Sequence, residues 1–451
     1  MQLRMAIVGA ALAAGCGDAT DGAASPEYES GARLRAKLYD AGGGAVAFGG
    51  WRDSALNLNC AFRLMDDDTW RCVPVSQVTV GFADPACTQM IVVDFTAATC
   101  AAPERAFETI PERGCAPTQV RMRRVGDRLS DGPLFLQTPR GCEDYSALAP
   151  YQRFVAGGAL PVDEFVAATP TLEPRGGGLA VIALTAVDGA HDLAELVDAE
   201  RGPCTLYDLT PETLTCVANL GVDGAEHGLF VDDACATSAP AVYQACPDRQ
   251  PGVVRVADGF HLPGAAIAGP VYDDRGGTCS ANDDLVAYAL GPALDPAELP
   301  TIGRTELGTG RLRSRHLTDA HGRPIRSAEF YDTVEQSECD VVMAAGALRC
   351  LPETVTQWDT PTTLFADPAC SVRVIALERG GLERVATMAP WCGGPRQATA
   401  LHRVAPYSAE LYASSSSGTC TPVARQPTLR YFADAAALPL DALPVITARI
   451  E

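Results

Sequence analysis

Lysine is nearly missing from this chain: Lys37 is its one lysine, so almost all positive charge is carried by arginine, a pattern that reads as coding bias. Positive charge is also scarce overall. Lys and Arg total 35 against 56 Asp and Glu, giving a formal net charge of −21. Such a surface repels nucleic acid and anionic headgroups, so polyanion binding is disfavoured. Aromatics make up 6% of the chain, and helical periodicity is almost absent. Past the N-terminus no segment is apolar for long enough to span a bilayer as a helix, which needs roughly 20 residues. The motifs of common chemistry are lacking too. There is no G-x-S-x-G nucleophile elbow, H-E-x-x-H zinc helix, phosphate-binding G-x-x-x-x-G-K-[ST], complete EF-hand loop or G-x-G-x-x-G after a strand. A catalytic set assembled from distant positions would escape that search.

What is present begins with bulk. A chain of 451 residues that is 47% hydrophobic is globular, with material for one large core or several small ones. Its first fifteen residues, MQLRMAIVGAALAAG, place an arginine before a short apolar run that ends in small residues just ahead of Cys16. That is the pattern of a secretory signal over 1–15. The ending AAGC resembles the lipobox of bacterial lipoproteins, in which the cysteine is acylated and becomes the mature N-terminus. Ala13 stands where leucine is commonest in that family, so ordinary cleavage near Ala13 or Ala14, giving a secreted protein, is the alternative. Gly17 follows Cys16 where the family's inner-membrane retention signal is aspartate, so the resemblance implies the outer membrane. Residues 16–30 are small, polar and acidic, as a flexible tether is. Seventeen cysteines are an odd number, and setting Cys16 aside as a lipid anchor leaves sixteen, an even set suited to an oxidising compartment.

The chain repeats itself. FADPAC occupies 82–87 and 365–370, and FVDDAC lies between them at 230–235. Aligned on cysteine, five landmarks recur in one order. Cys60, Cys204 and Cys339 lead, then Cys72, Cys216 and Cys350, then Cys87, Cys235 and Cys370. Cys115, Cys246 and Cys392 follow, and Cys142, Cys279 and Cys420 come last. The copies fall near 31–172, 173–309 and 310–451, a period of about 140 residues, longer than common solenoid repeats. Short β-branched runs bounded by Gly, Pro and Asp, such as QVTVGF at 77–82, predict an all-β fold. The best helical stretch, DLAELVDAE at 192–200, aligns with strand-like segments of the other copies and is discounted. About eight or nine strands per copy equal two four-stranded sheets. A six-bladed β-propeller with two blades per copy is the favoured architecture, because the joins between copies are short. Three disulfide-stapled β-sandwich domains in a row are the alternative.

Within that frame Asp84, Asp232 and Asp367, each three residues before a phrase cysteine, are expected to hold turns with their carboxylates. One Asp per loop falls far short of the oxygens a calcium ion needs, so no metal is expected. Asp53, Asp198 and Asp332 invite the same structural reading. The firmest expected disulfide is Cys60 to Cys72, with its equivalents Cys204 to Cys216 and Cys339 to Cys350, since a short loop meets disulfide distances. The first copy can then close internally with Cys87 to Cys100 and Cys115 to Cys142, while each other copy has one cysteine over, either left as a free thiol or paired with the other between copies. The six histidines are scattered and read as lone surface residues. The acidic groups Asp66 to Asp68, Asp273 with Asp274, and Asp283 with Asp284 read as solvated loop tips. The basic run at 121–128 reads as an exposed strand, and Trp51, Trp70, Trp358 and Trp391 as core or interface residues.

The lipobox together with the pattern RLR, C, RC[VL]P and F[AV]D-x-A-C is similar to uncharacterised cysteine-rich repeat lipoproteins of high-GC Gram-negative bacteria. That resemblance covers nearly the whole chain and implies export and repeat architecture, with no known activity, cofactor or site. The expected role is a non-catalytic envelope scaffold, held to the membrane by its lipid and presenting loops to an extracellular protein or glycan. The competing expectation is a secreted polymer-degrading hydrolase or lyase. An enzyme would reveal itself by asymmetry: polar groups gathered in one copy, with a perturbed acid among them.

Overall fold

The computed structural model describes residues 27–451 apart from 76–77, 96–101, 111–117, 139–140, 147–150, 211, 219–220, 245–251, 257–258, 276–277, 283, 359–363, 378–382, 390–394, 415–419 and 426–428. The fold is all-β. Among the described residues helix is limited to the single turn Gly224–His227 and three 3-10 turns, Val162–Glu164, Pro296–Glu298 and Leu440–Ala442, at one equivalent place in each copy. The stretch discounted as a helix is indeed the strand His191–Asp198.

Each copy opens with an antiparallel meander. In the first it runs Leu34–Asp40, Val46–Asp53, Leu58–Met65 and Trp70–Pro74. Apolar and polar residues alternate along LRAKLYD, so Leu34, Ala36 and Leu38 face inward while Arg35 and Lys37 do not. The last strand of the meander pairs with Ala167–Gly176, which turns back into the second meander. That meander runs Leu179–Ala186, His191–Asp198, Gly202–Thr210 and Thr213–Ala218, and it hands on through Thr301–Leu307 to the third. The third runs Leu312–Thr318, Pro324–Asp332, Ser337–Ala344 and Ala347–Pro352. Val445–Ile450 then pairs on one side with Ala347–Pro352 and on the other with Leu34–Asp40. The hydrogen-bonded circuit is closed, with five strands from each copy.

This pairing differs from the six blades expected. A propeller blade ends at its own edge strands, whereas here each meander bonds directly to the next. Nor are the copies separate beads, because their cores are shared. Leu34, Leu38, Trp51 and Phe62 of the first copy pack with Leu184, Ala186 and Ala190 of the second. Leu179, Val181 and Leu214 of the second pack with Leu317 and Ile325 of the third. Leu312, Phe330 and Ile446 of the third pack with Ala45 and Ala47 of the first.

The second half of each copy is a smaller five-stranded unit. In the first, Val78–Phe82, Met90–Asp94, Gln152–Ala159, Gln119–Arg128 and Arg105–Ile110 pair in succession, and a parallel contact between Thr79 and Phe107 closes the ring around Val78, Val92, Ala106 and Phe154. The second uses bridges at Gly221 and Val222 to reach the same arrangement. The third orders Val355–Trp358, Arg384–Met388, Gln397–Pro406, Arg430–Leu438 and Val374–Leu377 in the same succession.

Among the described residues six disulfides are present. The short-loop bonds Cys60–Cys72, Cys204–Cys216 and Cys339–Cys350 form as the spacing suggests, each within one of the three shared cores. The expected Cys87 to Cys100 and Cys115 to Cys142 pairings are not made, because Cys87 bonds Cys142. The hairpin Phe135–Thr138 with Gly141–Asp144 lies against Phe82, and this brings a cysteine 55 residues away beside the phrase turn. Cys235–Cys279 and Cys370–Cys420 repeat the long bond, so neither copy's spare thiol lies among these four. Cys16, Cys100, Cys115, Cys246 and Cys392 lie outside the described residues.

Trp51 is 2% exposed, ringed by Phe48 and Phe62, and its indole N–H donates to Asp192 of the second copy at 3.0 Å. Trp51→Ala should cost about 3 to 5 kcal/mol, the range for truncating a buried aromatic, read as a drop in thermal midpoint with the disulfides intact.

Candidate functional site

The repeated aspartates are turn holders. The Asp84 carboxylate accepts backbone N–H groups of Thr88 and Gln89 and the Thr88 hydroxyl, at 2.9, 2.6 and 2.8 Å. Asp232 accepts from the N–H groups of Ala234, Ala236 and Thr237. Asp367 accepts from Ser371 and Val372 and from the Ser371 hydroxyl. These donors hold all three carboxyls below their ordinary value, led by the backbone N–H groups of Gln89, Ala236 and Val372 respectively. Each turn ends in a cysteine at positive φ, 52° for Cys87, 49° for Cys235 and 51° for Cys370, a conformation unusual outside glycine. The second group, Asp53, Asp198 and Asp332, is buried and paired with Arg33, Arg201 and Arg311, and each also caps the following turn. Neither set has a free oxygen face to offer a ligand.

The other sequence candidates disperse. Asp66 and Asp67 pair with Arg121 and Arg71, and Asp68 accepts from Gln119. Asp273 and Asp274 sit within the hairpin Val271–Arg275 with Thr278–Asn282, and Asp283 lies outside the described residues. In the basic run Arg123 and Arg121 both reach Glu108. Trp51 is core, Trp70 packs beside that core, and Trp391 is outside the described residues. The histidines correct the surface expectation in two cases: His191 and His316 are buried. His316 and His321, five apart in sequence, do not form a ligand pair, because His316 points into the core while His321 sits on an exposed turn.

Because the copies match residue for residue, departures in one copy stand out, and the third copy carries three. The first is a carboxylate cluster. Glu329, Glu338 and Glu353 bring oxygens within 4.8 Å of one another on the outer face of the meander. The same backbone contact places Glu353 against Glu338 and Val75 against Asn59, so the first copy has Gly50, Asn59 and Val75 at these sites. Arg315, stacked on Tyr331, donates to Glu338 at 2.9 Å. Partial desolvation, then the hydrogen bond and charge of Glu338 and the charges of Glu353 and Asp340, push Glu329 up to about 7. Burial and the charges of Glu338 and Asp340 also raise Glu353. The crowded carboxylates favour proton uptake by Glu329, while as a cation site the three fall short of the six to eight oxygens of a calcium shell.

The second departure is at one end of the third five-stranded unit, above the apolar layer of Ile375, Val385, Val404 and Phe432. His402 Nδ1 lies 3.6 Å from Asp434, and Arg373 donates to His402 Nε2 at 3.2 Å and to the Thr387 hydroxyl at 3.1 Å. An Asp-oriented imidazole is the start of a general base, but Arg373 occupies the nitrogen that would face a substrate, so the group acts as a polar plug. The third is internal. Ser314 and His316 stand in the core where the first copy has Ala36 and Leu38 and the second Val181 and Ala183. His316 shares a hydrogen bond with Ser314 and lies 3.6 Å from the Glu27 carboxylate, while Leu193 of the second copy donates to the Glu27 carbonyl. Tyr28 stacks on Phe48 of the first copy, so residues 27 and 28 touch all three.

Sequence reading missed the glutamate cluster, whose members meet across strands. The available signal was local: Glu338 and Asp340 flank Cys339 in a position where Asn59 and Ala61 flank Cys60.

A family profile described as a family of unknown function (DUF7481) matches residues 8–443. No curated protein and no solved structure matches the chain.

Since the folded chain keeps Glu329 protonated above the ordinary value of 4.5, it binds more protons there than the unfolded chain between about 4.5 and 7. This contribution to stability is present below pH 4.5 and lost as pH rises through 7. Glu329→Gln should therefore raise the thermal midpoint at pH 8 and leave it nearly unchanged at pH 4.5. Solvent screening at this exposed site limits the gain to about 1 kcal/mol.

Proposed function

Because the chain belongs to the DUF7481 family, whose function is unknown, we propose its role from its own geometry: a non-catalytic, exported cell-envelope scaffold that presents loops to an extracellular protein or glycan. The observation that carries this reading is the threefold repetition of a stapled lobe. Each copy holds out a phrase turn bonded to a distant hairpin, and the carboxylates repeated there are consumed in shaping the turn rather than left for chemistry. Six disulfides belong to an oxidising extracellular or envelope compartment. In the fuller proposal Cys16 is acylated and the scaffold sits at the outer membrane, with a tether shorter than the expected 16–30, because Tyr28–Glu29 pairs as a strand with His191 and Asp192. The glutamate cluster favours a second reading, a secreted hydrolase with Glu329 as the general acid, since that residue is protonated near neutral pH and lies among carboxylates.

Labelling of growing cells with a palmitate analogue should mark the wild-type chain, and Cys16→Ser should lose the label and leave the membrane fraction. An unchanged label would remove the anchor. Binding is to be tested with the Cys16→Ser form on immobilised peptidoglycan fragments and bacterial surface polysaccharides. Gln89→Ala and Val372→Ala spare the turns, whose contacts use the backbone, and should together weaken binding at least tenfold. Retained binding would refute presentation by the lobes. Turnover of a glycoside panel that Glu329→Gln reduces at least a hundredfold would favour the hydrolase instead.

A further inference from the structure

The six disulfides fall into two classes that differ in access and in what they hold. The inner bonds each have at least one fully buried cysteine: Cys72, Cys216 and Cys350 are all 0% exposed. They also duplicate a ladder, since Cys60–Cys72 lies within a hairpin in which five residue pairs, from Cys60 with Pro74 to Leu64 with Trp70, already join the strands. The outer bonds differ on both counts. All six of their cysteines, Cys87, Cys142, Cys235, Cys279, Cys370 and Cys420, are only half-buried. The hairpin each one fastens has little pairing with the strand that leads into the phrase turn. Phe82 meets the hairpin through Phe135 alone, Leu229 and Phe230 meet it through Asp273 and Tyr272, and Leu364 and Phe365 through Ala413 and Tyr412. One end of each outer bond is also a cysteine held at positive φ, a conformation uncommon outside glycine.

We propose that the three outer disulfides are reductant-operated latches: a dithiol opens them while the closed circuit stays folded, and the hairpins Phe135–Asp144, Val271–Asn282 and Leu411–Val423 come away from the phrase turns. The chemistry is ordinary exchange. A thiolate of the dithiol attacks one accessible sulfur, forming a mixed disulfide and releasing the other cysteine, which takes up a proton. The dithiol's second thiol then closes on the first and expels the remaining cysteine, so two electrons pass from dithiol to latch. The inner bonds resist because an attacking thiolate cannot approach a sulfur enclosed in a shared core. Cys204, which is half-buried, makes Cys204–Cys216 the most accessible of the inner three. The inference concerns the scaffold itself and stands whether or not a glycan or protein partner is found.

The test uses the full chain with no substitutions. It is treated with graded dithiothreitol under native conditions, quenched with iodoacetamide and mapped by peptide mass spectrometry, with amide hydrogen exchange on the same samples. The outer six cysteines should be alkylated at least tenfold faster than Cys60, Cys72, Cys339 and Cys350, with Cys204 and Cys216 between. Amide protection should fall at least tenfold in the three hairpins while Leu34–Asp40, Leu179–Ala186 and Leu312–Thr318 keep theirs. Simultaneous alkylation of both classes would overturn the proposal, as would hairpins that stay protected after the outer bonds have opened.

Discussion

The structure depends on one constraint: no meander closes its apolar face within its own copy. Each meander presents an apolar face that is covered by the next copy around, the first by the second, the second by the third and the third by the first. The hydrogen bonding obeys the same rule, because Val445–Ile450 of the last copy supplies the partner that Leu34–Asp40 of the first would otherwise lack. Closing the circuit removes the sheet edges that an open array would leave for aggregation, the purpose that propellers and barrels also serve. The inner disulfides sit inside the shared cores, so they tie strands where the copies meet.

Once the frame is closed, the three copies serve as controls on one another. Where all three agree, as in the Asp84, Asp232 and Asp367 turns, a structural demand explains the residue: strand, tight turn and staple need an acceptor for outward-pointing N–H groups. Where one copy disagrees, the frame does not need the residue. By that measure Glu329, Glu338 and Glu353, the His402 with Asp434 pair, and the buried Ser314 with His316 are additions to a scaffold that works without them. Their concentration in the third copy is an asymmetry among the copies, and the two acids that are raised, Glu329 and Glu353, lie there.

Much of this was legible beforehand, for local reasons. The strand content follows from period-two alternation, the short staples from an eleven- or twelve-residue spacing, and the phrase turns from Asp placed three before Cys. What sequence failed to convey was long-range. Cys87 was matched to nearby Cys100, whereas the hairpin beyond it carries Cys142 into place, and nothing in the spacing records which strand lies against Phe82. The expected eight or nine strands per copy fall short of the twelve or more described in each, and strand number carries no information on whether Trp70–Pro74 ends a blade or pairs onward with Ala167–Gly176. The glutamate cluster was hidden for the same reason: its three members are gathered from separate strands by register alone.

The pairing of Val445–Ile450 with Leu34–Asp40 also sets an order of events. Partners some 400 positions apart must find each other before the ring exists, and ordering so long a loop is slow because its entropy is lost before the contact repays it. A chain made from its N-terminus delivers that strand after every other strand of the ring. Until it arrives, the first meander has one unpaired edge and the shared core between third and first copies lacks Ile446. The ring therefore closes in one late step that joins the two most distant strands of the circuit, and the frame gains its last edge pairing and its last shared-core residue together.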